Sequence, residues 1–509
     1  MTETKVANAG CVALSKGSLN RIPGSVLRPN YNRSELTPGI VHIGVGNFHR
    51  AHQAWYLHQL MQNGLAEDWA IIGAGVRPYD VEMRQRLLAQ DCLTMLIELS
   101  SQGASAEIIG PMIDYLAVAP GNAPLIRQMS QPEIRIVSLT VTESGYYIDP
   151  ETGGFDAMHP DIQHDVTNPD HPLSVFGAIV AALALRRATA AGPVTVMSCD
   201  NLRGNGLITR QSVVSLARLI KPDLADWIDS NCSFPNSMVD CIVPSTGPDE
   251  LAMARALGVD DRAVVTHENY RQWVLEDDFC AGRPDWAKAG VILTPDVHDY
   301  EGMKIRILNA GHQVLANLGE LLSVETIAEC MADPLISEFF QKVEHEEIVP
   351  YVSDVPGMTP AAYTDLIASR FSNPAIRDTT RRVAFDGSSR HSEFVLPILR
   401  EALQADGAIE GLALVEALWA RMCEGTREDG RIIQDNDPHW QQLSTVAIES
   451  RQTPMAWLAQ ASIYGDLATN SRFQNAFTHW LELIWSQGVE IAIKSYLRNS
   501  TSRPVGGAQ

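Results

Sequence analysis

The chain has 509 residues, 45% of them hydrophobic and 20% charged, with a formal net charge of −22. That length supports about two to four domains with more than one core. The acidic balance argues against nucleic acid and anionic membranes as partners and suits a soluble cytoplasmic enzyme. Eight cysteines, at 11, 92, 199, 232, 241, 280, 330 and 423, form no C-x-x-C pair. They read as reduced and mostly buried thiols rather than zinc ligands or a redox couple. No stretch has the length of a signal-peptide core or the ~18–20 apolar residues of a spanning helix.

Residues 1–37 are polar and punctuated by Pro and Gly, which predicts an irregular N-terminal arm. Gly39-Ile40-Val41-His42-Ile43 then reads as a buried strand running into Gly44-Val45-Gly46-Asn47-Phe48-His49-Arg50, with a helix over Gln53 to about Gln62. A strand, a G-x-G and a helix make the first turn of a dinucleotide-binding unit. The glycines allow a tight turn and close backbone approach to a pyrophosphate, and the helix start offers free N–H groups to that charge. Gly44, Gly46, Asn47, Phe48, His49 and Arg50 are therefore the candidate phosphate-side residues. His49 stands where the third glycine of the usual fingerprint would be, and is expected to cap the helix or contact phosphate.

Trp69 to Val76 predicts the second strand. The fold wants an acidic side chain beyond it to accept from the ribose 2′-hydroxyl. Asp80 is the candidate; Arg77 beside it suits a 2′-phosphate, which keeps NADP open next to NAD. Further strands are predicted over Ile134–Thr142 and Pro193–Cys199, with a helix over Val175–Thr189 between them. Alternating strands and helices predict a parallel sheet with helices on both faces. Ligands of such sheets bind beyond the carboxyl ends of the strands, which points to Thr142, Glu143 and Asn201. Residues 207–230 look helical, Phe234–Asp240 reads as a loop or turn carrying an acid, and Gly290–Leu293 is the last strand-like run. From about 300 the pattern is helical: 301–323, 325–346, 360–370, 374–385, 392–405 and 409–425. The reading is thus an arm (1–37), a Rossmann-type domain (38–293) and an α-helical domain (294–509).

The helical part opens with Glu301-Gly302-Met303-Lys304-Ile305-Arg306-Ile307-Leu308-Asn309-Ala310-Gly311-His312. On an α-helix Lys304, His312 and Asn309 project at about 0°, 80° and 140°, within one broad and partly apolar face. Such groups cost free energy when buried unless they find partners or lose charge. A partly wet helix face without chemistry would show the same letters.

Several stretches together resemble one family. They are Ile43 to His52, Ser138 to Glu143, Met197 to Leu202, Met238-Val239-Asp240, Arg271-Gln272-Trp273-Val274 and Lys304…Asn309…His312. Arg370-Phe371-Ser372-Asn373-Pro374 and Asp386-Gly387-Ser388 follow. In this order they are similar to the polyol-specific long-chain dehydrogenases, the family typified by mannitol 2-dehydrogenases, over roughly residues 38–400. Cys241 stands where the family usually has Arg, and Glu268-Asn269-Tyr270 where it often has Glu-Pro-Phe.

The resemblance implies metal-independent, NAD(P)-dependent oxidation of a secondary alcohol of an open-chain polyol to a ketose, at a site between a Rossmann-type and a helical domain. It implies Lys304 as general base, Asn309 and Asn201 as donors to the developing alkoxide, and His312, Asp240 and Arg382 on the substrate. Glu301 relays the base's proton. Lys304 must be unprotonated when it acts, through burial against Ile305 and Leu308 and a first-turn position where the helix dipole disfavours a cation. Core packing for His312, a helix cap for Asp240 and a solvated first-turn Glu301 remain alternatives, and Arg381 beside Arg382 leaves that register open. D-Mannitol and D-fructose are the leading pair. Fructuronate or tagaturonate reduction and sorbitol or arabinitol oxidation are the alternatives within the family. Outside it stand an NAD-using glycosidase, whose chemistry calls for a metal with no ligand cluster evident, and an NAD-binding sensor. Monomer and dimer are both compatible.

Overall fold

The computed structural model describes residues 10–149 and 152–498. The chain divides into two compact units near His298. The first is built on a five-stranded, all-parallel sheet. Its strands, in chain order, are Pro38–Ile43, Ala70–Ala74, Met112–Tyr115, Ile136–Leu139 and Thr195–Ser198, and their spatial order is 3-2-1-4-5. Most of these residues are buried, the continuous apolar signature of a sheet covered on both faces. The order reverses at the first strand, so the ligand crevice lies beyond its carboxyl end, beside Ile136–Leu139. The predicted parallel-sheet fold is present, and the Val175–Thr189 helix spans its predicted residues.

Three expectations need correction. The segment before residue 38 is not an irregular arm in its described part. Val12–Ala13 pairs with Val259–Asp260, Val26–Leu27 pairs with Ala106–Glu107, and Leu14, Ile22 and Val26 join a core with Met95, Ile97 and Val264. Two-residue strands between prolines and glycines are too short to show periodicity. Residues 1–9 lie outside the described residues. Phe234–Asp240 contains a strand, Ser237–Asp240, antiparallel to Gln272–Glu276. The predicted 207–230 helix is two, Asn205–Ile220 and Pro222–Asn231, broken where Pro222 cannot continue the ladder. A hairpin, Thr94–Ser100 with Gly103–Ile109, was also not anticipated.

The second unit is helical, and among the described residues no strand follows Thr294. Glu410–Cys423 is buried all round and packs between Ala310–Leu321 and Ser471–Gln487, as expected of a central helix. The predicted 374–385 helix shrinks to Thr380–Ala384, capped by the Thr379 hydroxyl, because Asn373-Pro374 starts a turn. Among the described residues no helix is long and apolar enough to cross a membrane.

Candidate active site

The first unit's turn is built as its glycines require. Gly44 has φ +95°, and a Cβ there would collide with the Thr140 carbonyl oxygen. Gly46 has no comparable neighbour: a Cβ added there would find its nearest non-adjacent atom, the Gly44 oxygen, at 4.0 Å. One glycine makes the turn, and the other leaves the backbone bare where a pyrophosphate would approach. Asn47–Ala51 starts the helix, which bends at His52 and continues as Gln53–Gln62.

The side chains along this turn are largely committed to holding it. Arg50 is buried and donates from Nε to the Gly46 oxygen (3.1 Å), from Nη2 to Asn47 Oδ1 (2.7 Å) and from Nη1 to the Ala263 carbonyl. Burial draws its guanidinium down to about 10, opposed by the Asp261 carboxylate. Asn47 also donates to Pro244 O and Thr246 Oγ1, both at 3.0 Å. His49 is buried and stacked on His42 with ring centroids 3.4 Å apart. Burial holds it well below the usual imidazole range, so it packs as a neutral ring in place of the third glycine. Phe48 stacks on His52. In this arrangement backbone N–H groups are what the turn has to offer an anion.

Asp80 begins the helix after the second strand, half-buried, and accepts from the Arg77 N–H at 2.9 Å. The Arg77 side chain is exposed and 4.0 Å from Asp161. Thr142 lies beyond the fourth strand at φ +67°, a strained region for a β-branched residue, costing roughly 1–3 kcal/mol. The Asp200 carboxylate holds it there, accepting from Val141 N (2.9 Å), Thr142 N (3.0 Å) and the Tyr146 hydroxyl (2.6 Å). The Glu143 side chain lies outside what the structure describes. Asn201, exposed, follows Asp200 in the turn after the fifth strand. Asn205 ties this turn to the Asp240 strand, donating to Asp200 O (3.0 Å) and Ser237 O (2.8 Å). Asp240, 5% exposed, ends that strand.

In the second unit Glu301, Lys304, Asn309 and His312 share one continuous helical run from His298 to Leu321. Lys304–Asn309 within it is wound with i→i+5 hydrogen bonds. On an ideal α-helix Lys304 and Asn309 diverge by about 140°; the wider i→i+5 turn narrows that divergence. Lys304 is 8% exposed and Asn309 9%. The run begins at His298, so Lys304 is in its second turn, not its first, and the dipole argument weakens while burial remains. Glu301 is in the first turn and is buried rather than solvated.

His312 lies flat on Phe371, centroids 4.3 Å apart, with Nε2 3.8 Å from Asp378 Oδ2. Burial pushes it down to about 4 against the pull of Asp378. Arg382 grips the same Asp378 through Nε and Nη2, both at 2.7 Å. Arg381 instead donates to the Gln434 and Asp435 carbonyls. Of the two arginines, Arg382 is the one linked to His312.

His42, His58, His267 and His312 are all pushed down by burial, the first three to about 3. In the unfolded chain they take protons below about pH 6.5. Their contribution to stability is complete above that pH and is lost as pH falls toward the folded-state values. Each steepens the loss by about 1.4 kcal/mol per pH unit. Urea midpoints are expected to drop steeply from pH 7 to 5, less so in His58→Gln; a flat wild-type profile would contradict neutral buried imidazoles.

Among the described residues Glu276, Asp296 and His298 place possible ligand atoms within 4.8 Å of one another, a grouping the sequence did not reveal. Asp296 already accepts from His298 N (2.8 Å) and Nδ1 (2.5 Å), and Glu276 from Asn236 N (2.8 Å).

The profile of the mannitol dehydrogenase Rossmann domain matches residues 38–288, and that of the mannitol dehydrogenase C-terminal domain matches residues 296–485. The chain belongs to the mannitol dehydrogenase family. A mannitol 2-dehydrogenase of Cereibacter sphaeroides is 52% identical over 473 residues, 93% of this chain and 99% of that protein. Among solved structures, the Pseudomonas fluorescens mannitol 2-dehydrogenase ternary complex with NAD and D-mannitol is 38% identical with TM-score 0.86. It covers 96% of this chain and 100% of its own. A D-sorbitol dehydrogenase in substrate-free form is 35% identical with TM-score 0.87, covering 94% and 100%.

For this member of the mannitol dehydrogenase family, sequence reasoning overlooked Asp200 and Asp378. Asp200 stands within a stretch that carried the resemblance, yet its carboxylate faces three donors a strand away. Asp378 is four residues before Arg382, the spacing of a helical ion pair, and that was the available signal.

Proposed function

We propose that this chain is an NAD-dependent oxidoreductase interconverting an open-chain polyol and its ketose, with D-mannitol and D-fructose as the pair. The supporting observation is the widened Lys304–Asn309 turn, which carries a buried amine and a buried amide at its two ends. The 52% identity to a mannitol 2-dehydrogenase supports the choice of polyol.

The Gly44 turn and the bare backbone at Gly46 support a dinucleotide on the first unit, with Asp80 as the acceptor for its ribose hydroxyl. NAD, when bound, supplies the acceptor for the hydride of the carbinol carbon. Lys304 takes the hydroxyl proton as general base. Asn309 and Asn201 donate amide N–H groups to the oxygen as it gains alkoxide character, fixed donors that need no reorganisation. His312, neutral, orients a substrate hydroxyl. Asp240 accepts from other hydroxyls, and Arg382, held by Asp378, donates to one. Glu301 passes the proton on from Lys304.

The test is initial-rate NADH formation with D-mannitol, D-sorbitol, D-arabinitol, xylitol, D-mannonate and D-altronate, each with NAD and NADP. Turnover on D-mannitol with NAD is expected to exceed the rest. Turnover confined to an aldonate would move the chain to the uronate reductases, preference for D-sorbitol or D-arabinitol would change the polyol, and no NADH from any would overturn the reading.

A further inference from the structure

Among the described residues of the second unit, three segments have the wide i→i+5 winding: Lys304–Asn309, Glu344–Ile348 and His391–Val395. The first packs against both others. Such turns are rare and concentrate at functional sites. Glu344 begins the second. Its side chain is fully buried, and neither oxygen has a hydrogen-bond partner among the described residues.

Glu344 meets the Lys304 helix at Gly311, between Asn309 and His312. A Cβ on Gly311 would stand 2.5 Å from Glu344 Oε1 and 3.0 Å from the Phe340 ring. Phe340 touches Phe371 with centroids 5.8 Å apart, and Phe371 carries His312 on its face. The carboxyl and these two rings thus form one wall behind Gly311 and His312. Burial without a countercharge pushes this acid well above the usual carboxylate range. An α-to-wide transition shifts backbone carbonyls away from their i+4 partners and leaves acceptors to satisfy. A buried, unpaired carboxyl costs more than an apolar residue of the same size, so packing alone does not account for it.

We propose that Glu344 is a positioning residue for the Lys304–Asn309 turn, its carboxyl seated against the Gly311 backbone so as to fix the rotation of Asn309 and His312 about the helix axis. The bare Cα of Gly311 is the other half of the same device. The inference rests on the proposed roles of Asn309 and His312.

Four variants test it: Glu344→Gln, Glu344→Leu, Gly311→Ala and Asn309→Ala, each assayed for kcat, polyol KM, NADH affinity by fluorescence and thermal unfolding. Glu344→Leu and Gly311→Ala are expected to lose kcat by about 10-fold to 100-fold, the size of effect a small misplacement produces, at unchanged NADH affinity. Glu344→Gln keeps a polar group of the same shape and is expected to restore kcat to within about twofold. A folded Glu344→Leu with wild-type kcat would overturn the proposal, as would a Gln variant as impaired as the Leu one. If Glu344→Leu does not fold, a Gly311→Ala protein with full kcat overturns it instead. Wild-type kcat in Asn309→Ala would strike the underlying assignment rather than the role of Glu344.

Discussion

Lys304→Ala is expected to lower kcat for polyol oxidation by about 100-fold to 10,000-fold, the range over which a positioned general base contributes, with NADH affinity unchanged. The residue that takes the hydroxyl proton works only on the reacting oxygen, so its loss appears in kcat and kcat/KM together. Truncating a side chain that is 8% exposed also opens a cavity, which calls for a control. Lys304→Met keeps most of the stem's volume and removes the amine. It is expected to match the alanine variant in rate while unfolding closer to wild type. Small primary amines added to Lys304→Ala should restore part of the rate. Stopped-flow hydride transfer and NADH fluorescence separate the chemical step from binding. A Lys304→Met protein that turns over D-mannitol within about threefold of wild type would remove the lysine from the proton-transfer role.

The parts of the fold that repeat a simple period were legible in the chain itself. The Pro38–Ile43 strand, the G-x-G turn and the Val175–Thr189 helix announce themselves by continuous burial or by flanking turn chemistry. The Val12–Ala13 and Val26–Leu27 strands do not, because two residues carry no period and their partners lie more than 70 residues away. The Lys304–His312 run was legible as letters and as one broad helix face, and its winding was not. A 100° wheel sets Lys304 and Asn309 at the two edges of that face, whereas the i→i+5 winding narrows their divergence, and no local residue pattern announces that winding. Asp378 escaped for a related reason. It stands in a predicted helix that dissolves into a turn after Pro374, and while its i,i+4 spacing to Arg382 is local, its approach to His312 depends on tertiary placement. Asp80 came from the fold rule alone; it begins the helix after the second strand and accepts from the Arg77 N–H.

Gly44→Ala and Gly46→Ala are expected to fail in different ways, and the contrast separates folding from cofactor binding. At Gly44 a side chain meets two penalties. The φ of +95° is one that L-residues adopt at a cost of about 1–2 kcal/mol, and the new Cβ runs into the Thr140 carbonyl. That carbonyl belongs to the chain leaving the neighbouring strand, so relief requires moving the sheet edge. A stability loss of at least about 2 kcal/mol is expected, read as a lower urea midpoint without any cofactor present. Gly46 has φ −92°, which alanine tolerates, and open space where the Cβ would stand. Its substitution in the free protein should cost only about 0.5 kcal/mol, as at an ordinary helix N-cap. The methyl would instead occupy the open volume proposed for the pyrophosphate. The dissociation constant for NADH is expected to rise by at least about tenfold, roughly 1.4 kcal/mol, with the urea midpoint near wild type. Equal loss of stability in both variants would mean that Gly46, like Gly44, serves the turn, and the pyrophosphate would have to be sought elsewhere along the carboxyl ends of the strands.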